Sequence, residues 1–120
     1  MSQFGRRRVL VVEDEVIVRM LVEDMLKDLG YEVAAVSGRL AQAVDFARTK
    51  DIDLAVLDLN LNGHMSYPVA DALRVRGVPF IFATGYNAKI LTPPYAATPT
   101  LQKPFHIDEL RRVLDGIQVK

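Results

Sequence analysis

The feature that most constrains this chain is a set of short apolar runs, the first hydrophobic on both faces, separated by segments of helical periodicity. Val9-Leu10-Val11-Val12 is the first, Tyr31 to Val36 the second, Ile52 to Leu57 the third and Val78 to Ala83 the fourth, with a short fifth run centred on Leu101. A strand that is hydrophobic on both sides has to be covered on both sides. After the first run Val18, Leu21, Val22, Met25, Leu26 and Leu29 recur at three- and four-residue steps, a helix with a wide apolar stripe that Gly30 closes in the left-handed conformation. Ser37 is placed to cap a helix carrying Leu40, Val44 and Ala47. A further helix is predicted from about Pro68 to Arg76 and a last one from about Ile107 to Gly116, while Asn60 to His64 reads as a loop. Between Tyr86 and Thr100, Pro93, Pro94 and Pro99 leave room for only a short or irregular fourth helix near Ala88 to Leu91. Such alternation predicts an α/β fold, a parallel sheet with helices on both faces, because right-handed crossovers between parallel strands need a helix each.

Composition narrows the functions open to such a fold. There is no cysteine, so thiolate metal sites and thiol chemistry are excluded. His64 and His106 lie 42 positions apart and read as exposed loop residues, not as a metal pair. Fifteen basic residues balance fifteen acidic ones, which argues against binding to nucleic acid or to an anionic membrane surface. No apolar run reaches the ~20 residues of a membrane span, and the N-terminus lacks the pattern of a secretion signal, so the expectation is a soluble cytoplasmic domain. Arg6-Arg7-Arg8 reads as a solvated terminus, and Phe80 and Phe82 as core.

Open parallel sheets bind ligands outside the carboxyl ends of their strands. In this chain those ends carry Glu13 and Asp14, Asp58, Thr84 and Lys103 in turn. In the flavodoxin-like doubly wound order 2-1-3-4-5 the first and third strands are neighbours, so Asp14 and Asp58 face one crevice. Carboxylates that close repel, and a hard divalent cation such as Mg²⁺ relieves the repulsion. A lysine and a hydroxyl beside them suit a phosphoryl group, and an aspartate can itself be the nucleophile that accepts it. Glu15, by contrast, reads as an ordinary acid at a helix start.

Taken together, Val9-Leu10-Val11-Val12-Glu13-Asp14-Glu15, Leu54-Ala55-Val56-Leu57-Asp58, Ala83-Thr84-Gly85 and Lys103-Pro104-Phe105 resemble the CheY-like receiver domain of two-component response regulators, over essentially the whole chain. The resemblance implies that Asp58 accepts a phosphoryl group from a phosphohistidine on a sensor histidine kinase or a histidine phosphotransfer protein. It implies that Asp14 and Asp58 bind Mg²⁺ directly, that Glu13 acts through water, and that the backbone carbonyl of Asn60 completes the protein ligands. Thr84 and Lys103 would contact phosphoryl oxygens, and the Lys103–Pro104 bond would be cis. A narrower likeness lies in Pro79-Phe80-Ile81-Phe82-Ala83-Thr84-Gly85-Tyr86, which resembles the PFxFATGY signature of stand-alone receivers linked to stress-response phosphorelays in alphaproteobacteria.

The departures from that family matter as well. Leu61-Asn62 replaces the usual Met-Pro after the phosphorylated aspartate, so the loop over the site should differ in conformation. Thr100 stands where many receivers carry an aromatic residue that swings inward, which makes Thr84, Gly85, Tyr86 and Thr100 the switch candidates. The chain ends at Lys120, right after the last helix, so the expectation is a single receiver domain over 1–120 with no output domain. It would signal by contact with a downstream protein, or act as a shuttle or sink in a relay, as a monomer or a weak phosphorylation-linked dimer. Lys89, Tyr95, Arg111 and Arg112 are candidates for the contact surface. Two other readings compete. A receiver-like module could bind partners independently of phosphorylation; a haloacid-dehalogenase-type phosphatase would need a second aspartate where this chain has Asn60.

Overall fold

The computed structural model describes residues 7–85, 91 and 93–117. Five strands, β1 (Arg8–Val12), β2 (Glu32–Ser37), β3 (Leu54–Asp58), β6 (Phe80–Thr84) and β7 (Thr100–Gln102), pair in parallel in the order β2-β1-β3-β6-β7. With β4 (Asn60–Leu61) and β5 (His64–Met65) set apart as a separate two-stranded hairpin, this is the expected 2-1-3-4-5 order.

Alternation along the strands divides the core in two. Val9 and Val11, Leu54 and Val56, Ile81 and Ala83 face one way. There they meet Val22 and Leu26 of α1 (Val16–Asp28) and Leu110 and Leu114 of α4 (Ile107–Asp115). Leu10 and Val12, Ala55 and Leu57, and Phe82 face the other way, onto α2 (Leu40–Thr49) and α3 (Tyr67–Arg76). Small Ala43, Ala47 and Ala70 let those two helices approach closely. Burying a Val, Leu, Ile or Phe side chain contributes roughly 1.5–3 kcal/mol. The two-sided coverage is therefore what the doubly apolar runs require.

Glycine ends α1 and α3 as expected. Gly30 and Gly77 adopt φ of +92° and +73°, and the residues after them, Tyr31 and Val78, donate back to the carbonyls of Leu26 and Leu73. The Lys103–Pro104 bond is cis, as the resemblance implied.

Four local expectations are corrected. Ser37 does not cap α2: it ends β2, and its hydroxyl donates to Gln42 Oε1 at 2.8 Å while accepting the Arg39 N–H, so Arg39 holds the cap position. The segment Asn60 to His64 is a hairpin, with Asn62 (φ +50°) and Gly63 (φ +88°) in the turn that an Asn-Gly pair favours. Arg8 is no frayed residue; it opens β1, and its N–H, Nε and Nη1 bond Asp53 Oδ2, the Asp51 carbonyl and Glu32 Oε2 at 2.7, 2.9 and 3.0 Å. Tyr95 is not a surface residue. It is buried, stacked on Tyr67 with centroids 5.3 Å apart and edge-on to Phe80 and Phe82, and its hydroxyl donates to Asp71. The expected fourth helix near Ala88 to Leu91 lies, apart from Leu91, outside the described residues, as do Tyr86 and Lys89. Among the described residues no helix is long and apolar enough to cross a membrane.

Candidate functional site

Parallel strands bring their carboxyl ends to one edge, and the polar residues there come from four different strands. Glu13 and Asp14 follow β1, Asp58 ends β3, Thr84 ends β6 and Lys103 follows β7. Carboxylate oxygens of Glu13, Asp14 and Asp58 lie within 4.8 Å of one another. Lys103 Nζ spans two of them, donating to Glu13 Oε1 at 3.0 Å and to Asp58 Oδ2 at 3.1 Å. Its own position is fixed from β6, since the Lys103 N–H donates to the Thr84 carbonyl at 2.9 Å.

A backbone amide holds one oxygen of each carboxylate, and in Glu13 and Asp58 it is the oxygen that Lys103 leaves free. Glu13 Oε2 accepts from the Glu15 N–H at 3.1 Å, Asp58 Oδ1 from the Asn60 N–H at 3.2 Å, and Asp14 Oδ2 from the Asn62 N–H at 3.0 Å. The last of these ties the hairpin after Asp58 to the acids after β1. The turn is braced in addition by the Gly63 N–H donating to Asn60 Oδ1 at 2.9 Å.

The site holds more negative charge than its lysine can offset. Asp58 is 6% exposed and Glu13 3%. Burial, and then the neighbouring Glu13 charge, push the Asp58 carboxyl up to about 7, against the lowering effect of Lys103 and of the Asn60 amide. For Lys103, burial works to lower the ammonium, but the hydrogen bond to Glu13 and the charges of Asp58 and Glu13 outweigh it, so its pKa is raised. A buried carboxylate whose ionisation is opposed by burial and by a second carboxylate, even beside an ammonium, makes a site that favours a further cation. The donors are all hard oxygens of carboxylate type, and such a set suits Mg²⁺.

Of the residues singled out from the sequence, Glu13, Asp14, Asp58 and Lys103 come together directly, while Asn60, Thr84 and Gly85 line the same cleft. Thr84 is buried and Gly85 exposed. Thr100 opens β7 in register with Phe82, two residues before the strand end that faces the cleft. Arg111 and Arg112 are exposed on α4, and His64 and His106 are exposed as expected. What the side-chain pattern missed are the backbone donors, above all Asn62. Its only signal was the Asn-Gly pair, which specifies a turn and says nothing of what the turn's amide bonds.

Residues 9–115 match the response regulator receiver domain family. The transcriptional regulatory protein PdtaR of Mycobacterium tuberculosis is 30% identical over 108 residues, covering 87% of this chain and 53% of that protein. The cell cycle transcriptional regulator CtrA of Caulobacter vibrioides is 34% identical over 108 residues, covering 86% and 46%. The chain thus spans about half the length of these curated relatives. Among solved structures, that of SdrG from Sphingomonas melonis Fr1 superimposes with a TM-score of 0.81 at 37% identity, over 96% of this chain and 97% of that one. The PhyR receiver domain of Erythrobacter litoralis gives 0.81 at 29% identity, over 95% and 91%. Sheet order, acidic edge and family match agree, and the chain belongs to the response regulator receiver domains, which are signalling domains of two-component systems.

Proposed function

We propose that this protein is a phosphorylation-dependent signalling module whose phosphoacceptor is Asp58. The observation that carries the reading is the Lys103 ammonium shared between Glu13 and Asp58 inside a buried cluster of three carboxylates. An Asp58 carboxylate oxygen attacks the phosphorus of a phosphohistidine; the new P–O bond forms as the P–N bond breaks, and the imidazole leaves with the electron pair. Lys103 and Thr84 take up phosphoryl oxygens as charge shifts onto them. Asp14 and Asp58 would hold Mg²⁺ directly, with Glu13 acting through water and the Asn60 carbonyl as the further protein ligand; the ion supplies neutralisation of the transferred group.

The donor is a sensor histidine kinase or a histidine phosphotransfer protein. Among the described residues, four of the five exposed large hydrophobics, Val16, Ile17, Met20 and Leu21, lie on α1. That helix borders an apolar groove of about 390 Å³ that continues through Lys103, Pro104 and Phe105 to the site. A protein donor seated there brings its histidine to Asp58 with apolar contacts supplying affinity. Similarity to SdrG and to the PhyR receiver supports placing the segment Pro79 to Tyr86 in the PFxFATGY subfamily, with a role in a stress-response phosphorelay. Thr84, Gly85 and Tyr86 would then carry the switch in place of Thr100, and output passes to a downstream protein.

Beryllofluoride with Mg²⁺ mimics the aspartyl phosphate. Amide spectra of the wild type should shift around Asp58, Thr84 and Lys103 when it is added, and Asp58→Ala should abolish the response. A module that binds independently of phosphorylation gives no Asp58-dependent change, and that result overturns the proposal.

A further inference from the structure

Gly38, directly after β2, differs from the other described glycines. Gly30, Gly63 and Gly77 have positive φ and open space where a side chain would stand, and Gly85 also has open space. Gly38 has no positive φ, so its backbone does not demand glycine, yet a Cβ there would lie 3.1 Å from the Glu13 carbonyl oxygen, 3.2 Å from Asp14 Cα and 3.0 Å from Arg19 Nη1. Two of those atoms are backbone atoms of the acidic turn. The third belongs to the side chain that braces it, since Arg19 Nη1 donates to the Glu13 carbonyl at 3.4 Å. From the β2 side the Glu13 N–H donates to the Ser37 carbonyl at 2.9 Å. The turn carrying two of the three carboxylates is therefore held between the end of β2 and the first turns of α1, with Gly38 as the point of closest approach.

We propose that Gly38, assisted by Arg19, is a positioning residue that sets the placement of Glu13 and Asp14 and so makes the site selective for a small divalent cation. The proposal rests on the reading of the three carboxylates as a cation site. A methyl group at position 38 moves the Glu13–Asp14 backbone or the Arg19 head by a few tenths of an ångström. That is the same size as the difference between Mg²⁺–oxygen distances of about 2.0–2.1 Å and Ca²⁺–oxygen distances of about 2.3–2.6 Å. Mg²⁺ tolerates little departure from octahedral geometry, whereas Ca²⁺ accepts irregular shells, so the displacement penalises one ion more than the other.

The test is titration of the wild type, Gly38→Ala and Arg19→Ala with Mg²⁺ alone and with Ca²⁺ alone, followed by amide shifts. Gly38→Ala should weaken Mg²⁺ binding about tenfold, the scale on which supporting residues act on metal sites, with a much smaller loss for Ca²⁺. Arg19→Ala should move the ratio of the two affinities the same way by less. In the metal-free protein the Asn62 amide, which reports the position of Asp14 through its 3.0 Å bond, should shift in Gly38→Ala. A general loss of stability would lower both affinities together and leave their ratio alone. An unchanged ratio in Gly38→Ala overturns the proposal and leaves the cation site standing. If Gly38→Ala does not fold, an unchanged ratio in Arg19→Ala overturns it instead. A wild type that binds neither ion overturns the cation site, and the proposal with it.

Discussion

The two ends of the sheet carry nearly the same ingredients and use them oppositely. At the amino end Arg8 faces Glu32, Asp53 and the Asp51 carbonyl; at the carboxyl end Lys103 faces Glu13 and Asp58, with Asp14 beside them. The Arg8–Glu32 pair is solvated, its side chains 38% and 49% exposed, while the Asp53 N–H donates to the Arg8 carbonyl and the Asp53 carboxylate accepts the Arg8 N–H, which closes this end of the sheet. The Lys103 pairs are buried, the side chains of Lys103, Glu13 and Asp58 being 17%, 4% and 8% exposed. Charges about 4 Å apart interact by about 1 kcal/mol in water and by about 4 kcal/mol at an effective dielectric of 20. The amino end is thus a fastening whose charges matter little, and the carboxyl end an unbalanced charge cluster held in place by the rest of the fold.

The contrast can be broken most forcefully at Lys103. Without divalent ions at pH 8, Lys103→Met should cost about 3 kcal/mol in denaturant unfolding, because it strands buried carboxylates, and the cost should shrink by pH 5 as Asp58 takes a proton. A loss no larger than that of Arg8→Met would erase the difference between the ends. Next in size is Asp58 itself. Its folded value near 7 exceeds the ordinary 3.8, so between those values the folded state holds more protons than the unfolded one and stability falls as pH rises from about 4 to about 7. Asp58→Asn should flatten that slope and be more stable than the wild type at pH 8 by on the order of 2 kcal/mol, with Mg²⁺ narrowing the gap. Thermal midpoints across this pH range check it; an equally steep slope in the variant would place the repulsion elsewhere. Smallest is the amino end, where an Arg8→Ala, Glu32→Ala double-mutant cycle should give a coupling below about 1 kcal/mol that fades in high salt.

How much of this was legible follows from what each feature rests on. Val9 to Val12 and Leu54 to Leu57 announce covered strands because burial on both faces leaves no polar position, and the acids that end them then fall at one edge by topology alone. Asp14, Asp58, Thr84 and Lys103 are therefore readable as a group. The hairpin was not, since two-residue strands have no periodicity to detect. Arg8 looked like part of a basic tail because its partners Glu32, Asp51 and Asp53 are brought to it only by the parallel pairing of β1 with its neighbours. Tyr95 sits among prolines, which mark a loop correctly but do not reveal that this loop turns its ring inward onto Tyr67 and Phe82. Ser37 has the right residue type for a cap but is the last residue of β2, two positions before Arg39, which holds the cap position.

That inward ring has an optical consequence. The chain contains four tyrosines and no tryptophan, so its near-ultraviolet absorption and circular dichroism come from tyrosine and phenylalanine alone. Tyr67 and Tyr95 lie nearly parallel, 10° apart, one at the start of the helix that follows the Asp58 hairpin and the other ahead of the strand that leads to Lys103. The two polypeptide segments that flank the acceptor and its lysine are thus joined by a chromophore pair, and any relative displacement of them alters a native, label-free signal.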